Sequence, residues 1–140
     1  MARTATAEWK GDLMSGAGRV ALGSGAYEGT YSFATRFEDQ PGANPEELLG
    51  AAHAGCFSMA LANSLAKAGF VATSVKTTAS VHLGKDDLGF KITRIDLDVR
   101  AAVPGADAAT FQQHAESTKT GCIISRALAA NEITLKAVLA

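Results

Sequence analysis

Apolar positions along this chain change their spacing several times, and each change marks a different kind of element. Thr4 to Lys10 and Arg19 to Leu22 read as short β-strands, and Thr30 to Phe37 as a third in which Tyr31 and Phe33 alternate with small or polar residues. Glycines at 11, 23, 25 and 29 punctuate this opening stretch as turns. At Asn44 the period lengthens. Asn44 is a favoured N-cap, Pro45 suits the first helical position, and Glu46 and Glu47 complement the positive end of a helix dipole. Lys67 and Gly69 supply a C-terminal stop. The pattern predicts one helix from Pro45 to about Ala68, roughly 36 Å long at 1.5 Å per residue.

Two-residue alternation then returns. Val75, Thr77, Ala79, Val81 and Leu83 share one face of a strand, and Lys85 to Gly89 makes a turn. The next strand, Phe90 to Val103, carries Phe90 and Ile92 in one phase but Ile95, Leu97 and Val99 in the other, which predicts a bulge near Thr93–Arg94. Asp107 caps a second helix running to about Lys119, Gly121 stops it, a short helical turn follows Ser125, and Ile133 to Leu139 closes the chain as a strand. This order predicts an α+β fold with largely antiparallel sheet, in a single domain over residues 1–140.

Composition narrows the function. Thirteen basic and 14 acidic residues leave a net charge of −1, and the basic ones are scattered, so no nucleic-acid partner is expected. Met1 to Lys10 holds no apolar run of the secretory kind, and a cytoplasmic location is expected. In a reducing compartment, two cysteines are more naturally redox-active than structural. The uncharged stretch from Leu48 to Ala66 raises the membrane question, but it is rich in alanine and interrupted by Gly50, His53, Gly55, Asn63 and Ser64. It reads as a central helix of a soluble protein, with no membrane partner. So small a chain cannot easily cover such a helix on every side. Gly50, Gly55 and the alanines permit close approach of a second helix, and a homodimer is expected.

Cys56 lies inside this apolar stretch, and an unpaired cysteine there is by itself an ordinary buried residue. Its company suggests more. Arg36 cannot lose its charge and would favour a thiolate. Glu47, at the third helical position, has a local use in a capping box, whereas Glu46 has none and is the better functional carboxylate, able to grip a guanidinium with both oxygens. Glu46 and Cys56 stand ten residues apart, about 15 Å along a straight helix. If both serve one site, Glu46 comes from the partner subunit. His53 is read as a packed, hydrogen-bonded residue, and His82 and His114 as polar-face residues. No cysteine–histidine spacing points to a metal. No cofactor motif is present.

Several segments resemble one family. They are Thr35-Arg36-Phe37-Glu38 and the run Asn44-Pro45-Glu46-Glu47 through Cys56-Phe57-Ser58-Met59-Ala60-Leu61. Glu8-Trp9-Lys10-Gly11, Val103-Pro104-Gly105, Gly121-Cys122 and Glu132-Ile133-Thr134-Leu135 extend the likeness over the whole chain. The sequence resembles the osmotically inducible protein C (OsmC) family, relatives of the organic hydroperoxide resistance proteins. The resemblance implies an OsmC-like α+β fold, two mainly antiparallel sheets wrapped around central helices in an intertwined homodimer. It implies Cys56 as the peroxidatic cysteine and Cys122 as the resolving one, with Arg36 and Glu46 completing the site. One departure is Ile123, where the family usually has proline after the resolving cysteine.

The expected activity is a thiol-dependent peroxidase reducing organic hydroperoxides through a Cys56 sulfenic acid and a Cys56–Cys122 disulfide. An external dithiol, lipoyl-type in the hydroperoxide-resistance relatives, would reset the pair. Two rivals make different demands. A cysteine hydrolase using Cys56 with His82 or His114 as base leaves Cys122 dispensable, and a non-catalytic, stress-related binding dimer forms no sulfenic acid.

Overall fold

The glycine turns of the opening stretch close a three-stranded antiparallel sheet. In the computed structural model, which describes residues 1–140, these strands are β1 (Ala5–Lys10), β2 (Ala17–Leu22) and β3 (Glu28–Tyr31), in that spatial order. Trp9 and Tyr31 meet on one face, ring centroids 5.4 Å apart. Most of the sheet's residues are exposed.

The third predicted strand is too long. After Tyr31 the chain turns into a short helix, α1 (Phe33–Phe37). Ser32 caps it: its hydroxyl accepts from the Thr35 amide, and the Thr35 hydroxyl receives the Ser32 amide in return, a reciprocal capping box. Alternation of Tyr31 and Phe33 hid a helical pair, for Phe33 and Phe37 stack at 5.0 Å on one face. The first 48 residues form one compact unit and residues 49–140 a second.

The long helix, α2 (Pro45–Lys67), begins as predicted: Asn44 Oδ1 accepts from the Glu47 amide at 2.7 Å. It ends in a Schellman motif. Gly69 adopts φ +91°, Phe70 N–H bonds the Leu65 carbonyl at 2.9 Å, and Gly69 N–H bonds that of Ala66 at 3.0 Å. By length and composition α2 could span a membrane. Its buried stripe of Gly50, His53, Phe57, Leu61 and Leu65, spaced three or four apart, instead enters a protein core. At Gly50 a side chain's first carbon would lie 3.3 Å from the Ala79 carbonyl, so glycine lets α2 approach the sheet. The opposite face, with Ala51, Ala52, Gly55 and Met59, is open.

The second sheet comprises β4 (Ser74–Asp86), β5 (Gly89–Ala102) and β6 (Glu132–Leu139), with β5 central. The predicted bulge is present: His82 faces Arg94 and Leu83 faces Ile92, leaving Thr93 as the extra residue. That residue moves Ile92 into phase with Ile95, Leu97, Val99 and Ala101, which line the core. Two helices, α3 (Ala108–Gly121) and α4 (Ile123–Ala127), connect β5 to β6. The β5–β6 pair is therefore parallel, which needs such a crossover. Hence the sheets are one antiparallel and one mixed, within an α+β architecture.

Candidate active site

Arg36 and Glu46 are brought together by the turn between α1 and α2. The buried Thr35 hydroxyl donates to the Ala43 carbonyl at 2.8 Å, and Asn44 Nδ2 donates to the Thr35 carbonyl at 3.3 Å. These bonds clamp the end of α1 to the start of α2. Arg36 Nε then lies 3.2 Å from both oxygens of Glu46, and Nη2 lies 2.7 Å from Oε1. The Glu46 side chain is only 12% exposed, while Arg36 keeps 38%. Arg36 also lies 5.2 Å from the centre of the Phe37 ring. A pocket of about 300 Å³ opens beside the guanidinium, walled by Trp9, Leu13, Tyr31, Phe33 and Phe37.

Cys56 and Cys122 form the second pair. Cys56 sits halfway along α2, partly exposed, and Cys122 is buried at the junction of α3 and α4. Both line an open groove of about 810 Å³ with Met59, Ala60, Ile123 and Ile124. Cys122 is the N-cap of α4: its sulfur accepts from the Ser125 amide at 3.3 Å and lies 3.3 Å from the Ser125 hydroxyl. The first amides of α4 have no partner within their own helix, and those of Ile124 and Ile123 act to lower the pKa of the Cys56 thiol.

The two thiols are driven apart in acidity. Burial pushes the Cys56 thiol up, the Ile124 amide pulls it back, the Cys122 sulfur raises it again, and the Ile123 amide opposes; the net direction is upward. Burial also acts to raise Cys122, but the Ser125 hydroxyl and amide, with Cys56, outweigh it and hold that thiol below its ordinary value. The two thiols influence each other, Cys122 acting to raise Cys56 and Cys56 acting to lower Cys122, so they titrate as a pair.

His53 is fully buried, and its Nε2 lies 2.8 Å from the Ser125 hydroxyl, as a packed and hydrogen-bonded histidine should. Ser125 itself escaped sequence reasoning, as did the α4 amides, because a turn that follows Ser125 starts three residues later than α4 does. The available signal was Gly121 followed by Cys122 three residues before a serine, the spacing of a cap and its third helical residue.

Comparison with known proteins places this arrangement. The model of the family described as OsmC-like protein matches residues 37–137. The chain belongs to the OsmC family. Among relatives, Peroxiredoxin OsmC of Escherichia coli (strain K12) is 53% identical over 130 residues, covering 92% of this chain and 90% of the relative. An OsmC-like protein of unknown function from Vibrio cholerae superposes with a TM-score of 0.78 at 20% identity, covering 99% of each chain. The organic hydroperoxide resistance protein OhrB of Bacillus subtilis superposes at 0.72 with 25% identity, covering 98% of each. The OsmC fold thus accounts for both sheets and for the helices that carry the two residue pairs.

Proposed function

We propose that this OsmC-family chain is a thiol-dependent peroxidase that reduces organic hydroperoxides to alcohols. The observation that carries the reading is the cysteine pair itself: Cys56 opens to an apolar groove, and a second, buried thiol stands beside it. The 53% identity to a relative named a peroxiredoxin supports it.

In this reading the Cys56 thiolate attacks the terminal peroxide oxygen, the O–O bond breaks, and the departing alkoxide takes a proton to leave as alcohol. Cys56 is left as a sulfenic acid. Cys122 then attacks that sulfur, the S–O bond breaks, and hydroxide leaves as water once protonated. An external dithiol, lipoyl-type by analogy with the hydroperoxide-resistance relatives, reduces the disulfide. Burial works against the Cys56 thiolate, so the first step calls for a cation. Arg36 is the candidate, oriented by Glu46, and it would also stabilise the developing alkoxide.

Glu46 and Cys56 share one unbroken helix at ten residues' separation, about 15 Å, so their side chains do not meet along it. The proposal therefore places the Arg36–Glu46 pair of one protomer at Cys56 of the other, in an intertwined homodimer with residues 1–140 as one OsmC-like domain. The open face of α2, with Ala51, Ala52, Gly55 and Met59, supports burial against a second copy. A cytoplasmic, membrane-free setting fits a reductant-dependent thiol cycle.

Consumption of cumene hydroperoxide and of hydrogen peroxide with dithiol, on the parent, Cys56→Ser and Cys122→Ser, tests the assignment. Cys56→Ser should abolish consumption, Cys122→Ser should stop turnover after one equivalent, and the organic peroxide should be preferred. An active Cys56→Ser variant would overturn the roles.

A further inference from the structure

Behind the cysteine pair lies a buried chain of polar groups that the peroxidase cycle does not by itself require. His53 Nε2 stands 2.8 Å from the Ser125 hydroxyl, which stands 3.3 Å from the Cys122 sulfur. All three residues are at most 2% exposed, and His53 Nδ1 is buried with no partner. His53 occupies the buried stripe of α2, one turn before Phe57, so the helix phase alone delivers it to this place.

The orphaned Nδ1 decides the direction of the bonds. Burial keeps the imidazole neutral, so one ring nitrogen carries hydrogen and the other a lone pair. If Nε2 accepted, an N–H at Nδ1 would be buried unpaired, the rarer and costlier arrangement. Nε2 is therefore the donor and the Ser125 oxygen its acceptor. The serine's own proton is then free to turn toward Cys122, whose sulfur already receives the Ser125 amide. Burial is the sole influence on the imidazole, and the titratable groups that the chain meets are Cys122 and, against it, Cys56.

We propose that His53 is a positioning residue for resolution: through Ser125 it aims two donors at the Cys122 sulfur and readies that sulfur to attack the Cys56 sulfenic acid. The inference rests on the two-cysteine reading above. It also fits the order of events. Once Cys56 carries a sulfenic acid it no longer competes for negative charge, and the Cys122 thiolate becomes the only anion of the pair. The new bond is Cys122 S–Cys56 S, the broken bond is Cys56 S–O, and the hydroxide that leaves is protonated to water.

The test reads Cys122 alone, without peroxide. In a Cys56→Ser background, thiolate absorbance at 240 nm is followed against pH, with Cys56→Ser/Cys122→Ser as blank. Adding Ser125→Ala should raise the Cys122 midpoint by about one pH unit, roughly a tenfold loss of thiolate at neutral pH. His53→Leu should give a similar rise, and His53→Gln, whose amide N–H can reach the same hydroxyl, should restore most of it. In chains with both cysteines, disulfide closure after peroxide should slow about threefold in Ser125→Ala, the loss of thiolate being partly offset by its greater nucleophilicity. An unmoved midpoint in Ser125→Ala, or equal midpoints for His53→Leu and His53→Gln, would overturn the proposal; should the leucine variant not fold, Ser125→Ala decides. Failure of the peroxidase reading would show separately, as no sulfenic acid in the parent.

Discussion

Arg36 Nε faces both carboxylate oxygens of Glu46 at 3.2 Å, and Nη2 adds a bond of 2.7 Å to one of them. A guanidinium gripped in this way has little freedom left, and its direction is set by a nearly buried carboxylate. Glu46→Gln keeps the shape but loses the second acceptor. It should lower kcat/KM for cumene hydroperoxide roughly tenfold through misplacement of the cation. Arg36→Ala should cost more, on the order of a hundredfold. Arg36→Lys should not rescue it, because an ammonium lacks the planar fork. Equal rates for the Lys variant and the parent would contradict a role for that fork.

The cross-subunit arrangement has a distinct signature. Heterodimers carrying Cys56→Ser in one protomer and Glu46→Ala in the other should retain one site with all its groups, close to half the parent's activity. If each protomer completes its own site, the surviving Cys56 faces the defective Glu46→Ala pair, and activity falls to half that of the Glu46→Ala homodimer. Gly55→Arg, on the open face of α2, should shift sedimentation from dimer toward monomer at fixed protein concentration.

Ile123, the first residue of α4, follows Cys122 directly and carries a prediction of its own. The Ile123 amide is one of two whose influence lowers the pKa of the Cys56 thiol. Ile123→Pro would preset the first turn of α4 but remove that donor. The Cys56 ionisation midpoint should therefore rise, and peroxide reduction below the midpoint should slow. Rates measured from pH 5 to 9 in both forms check the direction.

The paired thiols make a prediction of opposite sign. Cys122 raises Cys56, so Cys122→Ser should move the Cys56 midpoint down. Cys56 lowers Cys122 as a hydrogen-bond donor, so Cys56→Ala, which removes the donor, should move the Cys122 midpoint up. Thiolate absorbance against pH in the two single variants reads both shifts.

Much of this was legible in the chain, and the exceptions have physical reasons. The bulge at Thr93 followed from two apolar phases in one strand, and α2 from its caps at Asn44 and Gly69. The parallel pairing of β6 was not legible, because alternation carries no strand direction. Residues 33–37 misled because alternation at Tyr31 and Phe33 coexists with an i, i+4 aromatic pair and a Ser32–Thr35 cap. At the site, Arg36 and Glu46 could be paired from side-chain chemistry. Ser125 left only the cap spacing from Cys122 as a signal, a faint one since cysteine is an uncommon cap and the residue matters only through a sulfur and an imidazole.

Stability should be set by the stripe of α2 that meets the sheet. Phe57 is fully buried in the core cluster with Leu61 and Leu65, and Phe57→Ala should cost about 3–5 kcal/mol in urea unfolding. Met59, two residues on but 77% exposed, should cost far less as alanine in a single chain, and more if a second copy covers it.

The most direct measurement is mass-spectrometric mapping of a dimedone adduct after one equivalent of cumene hydroperoxide. In Cys122→Ser the adduct should fall on Cys56, and in the parent it should give way to a Cys56–Cys122 disulfide. An adduct on Cys122 in Cys56→Ser, with none on Cys56 in Cys122→Ser, would contradict the account.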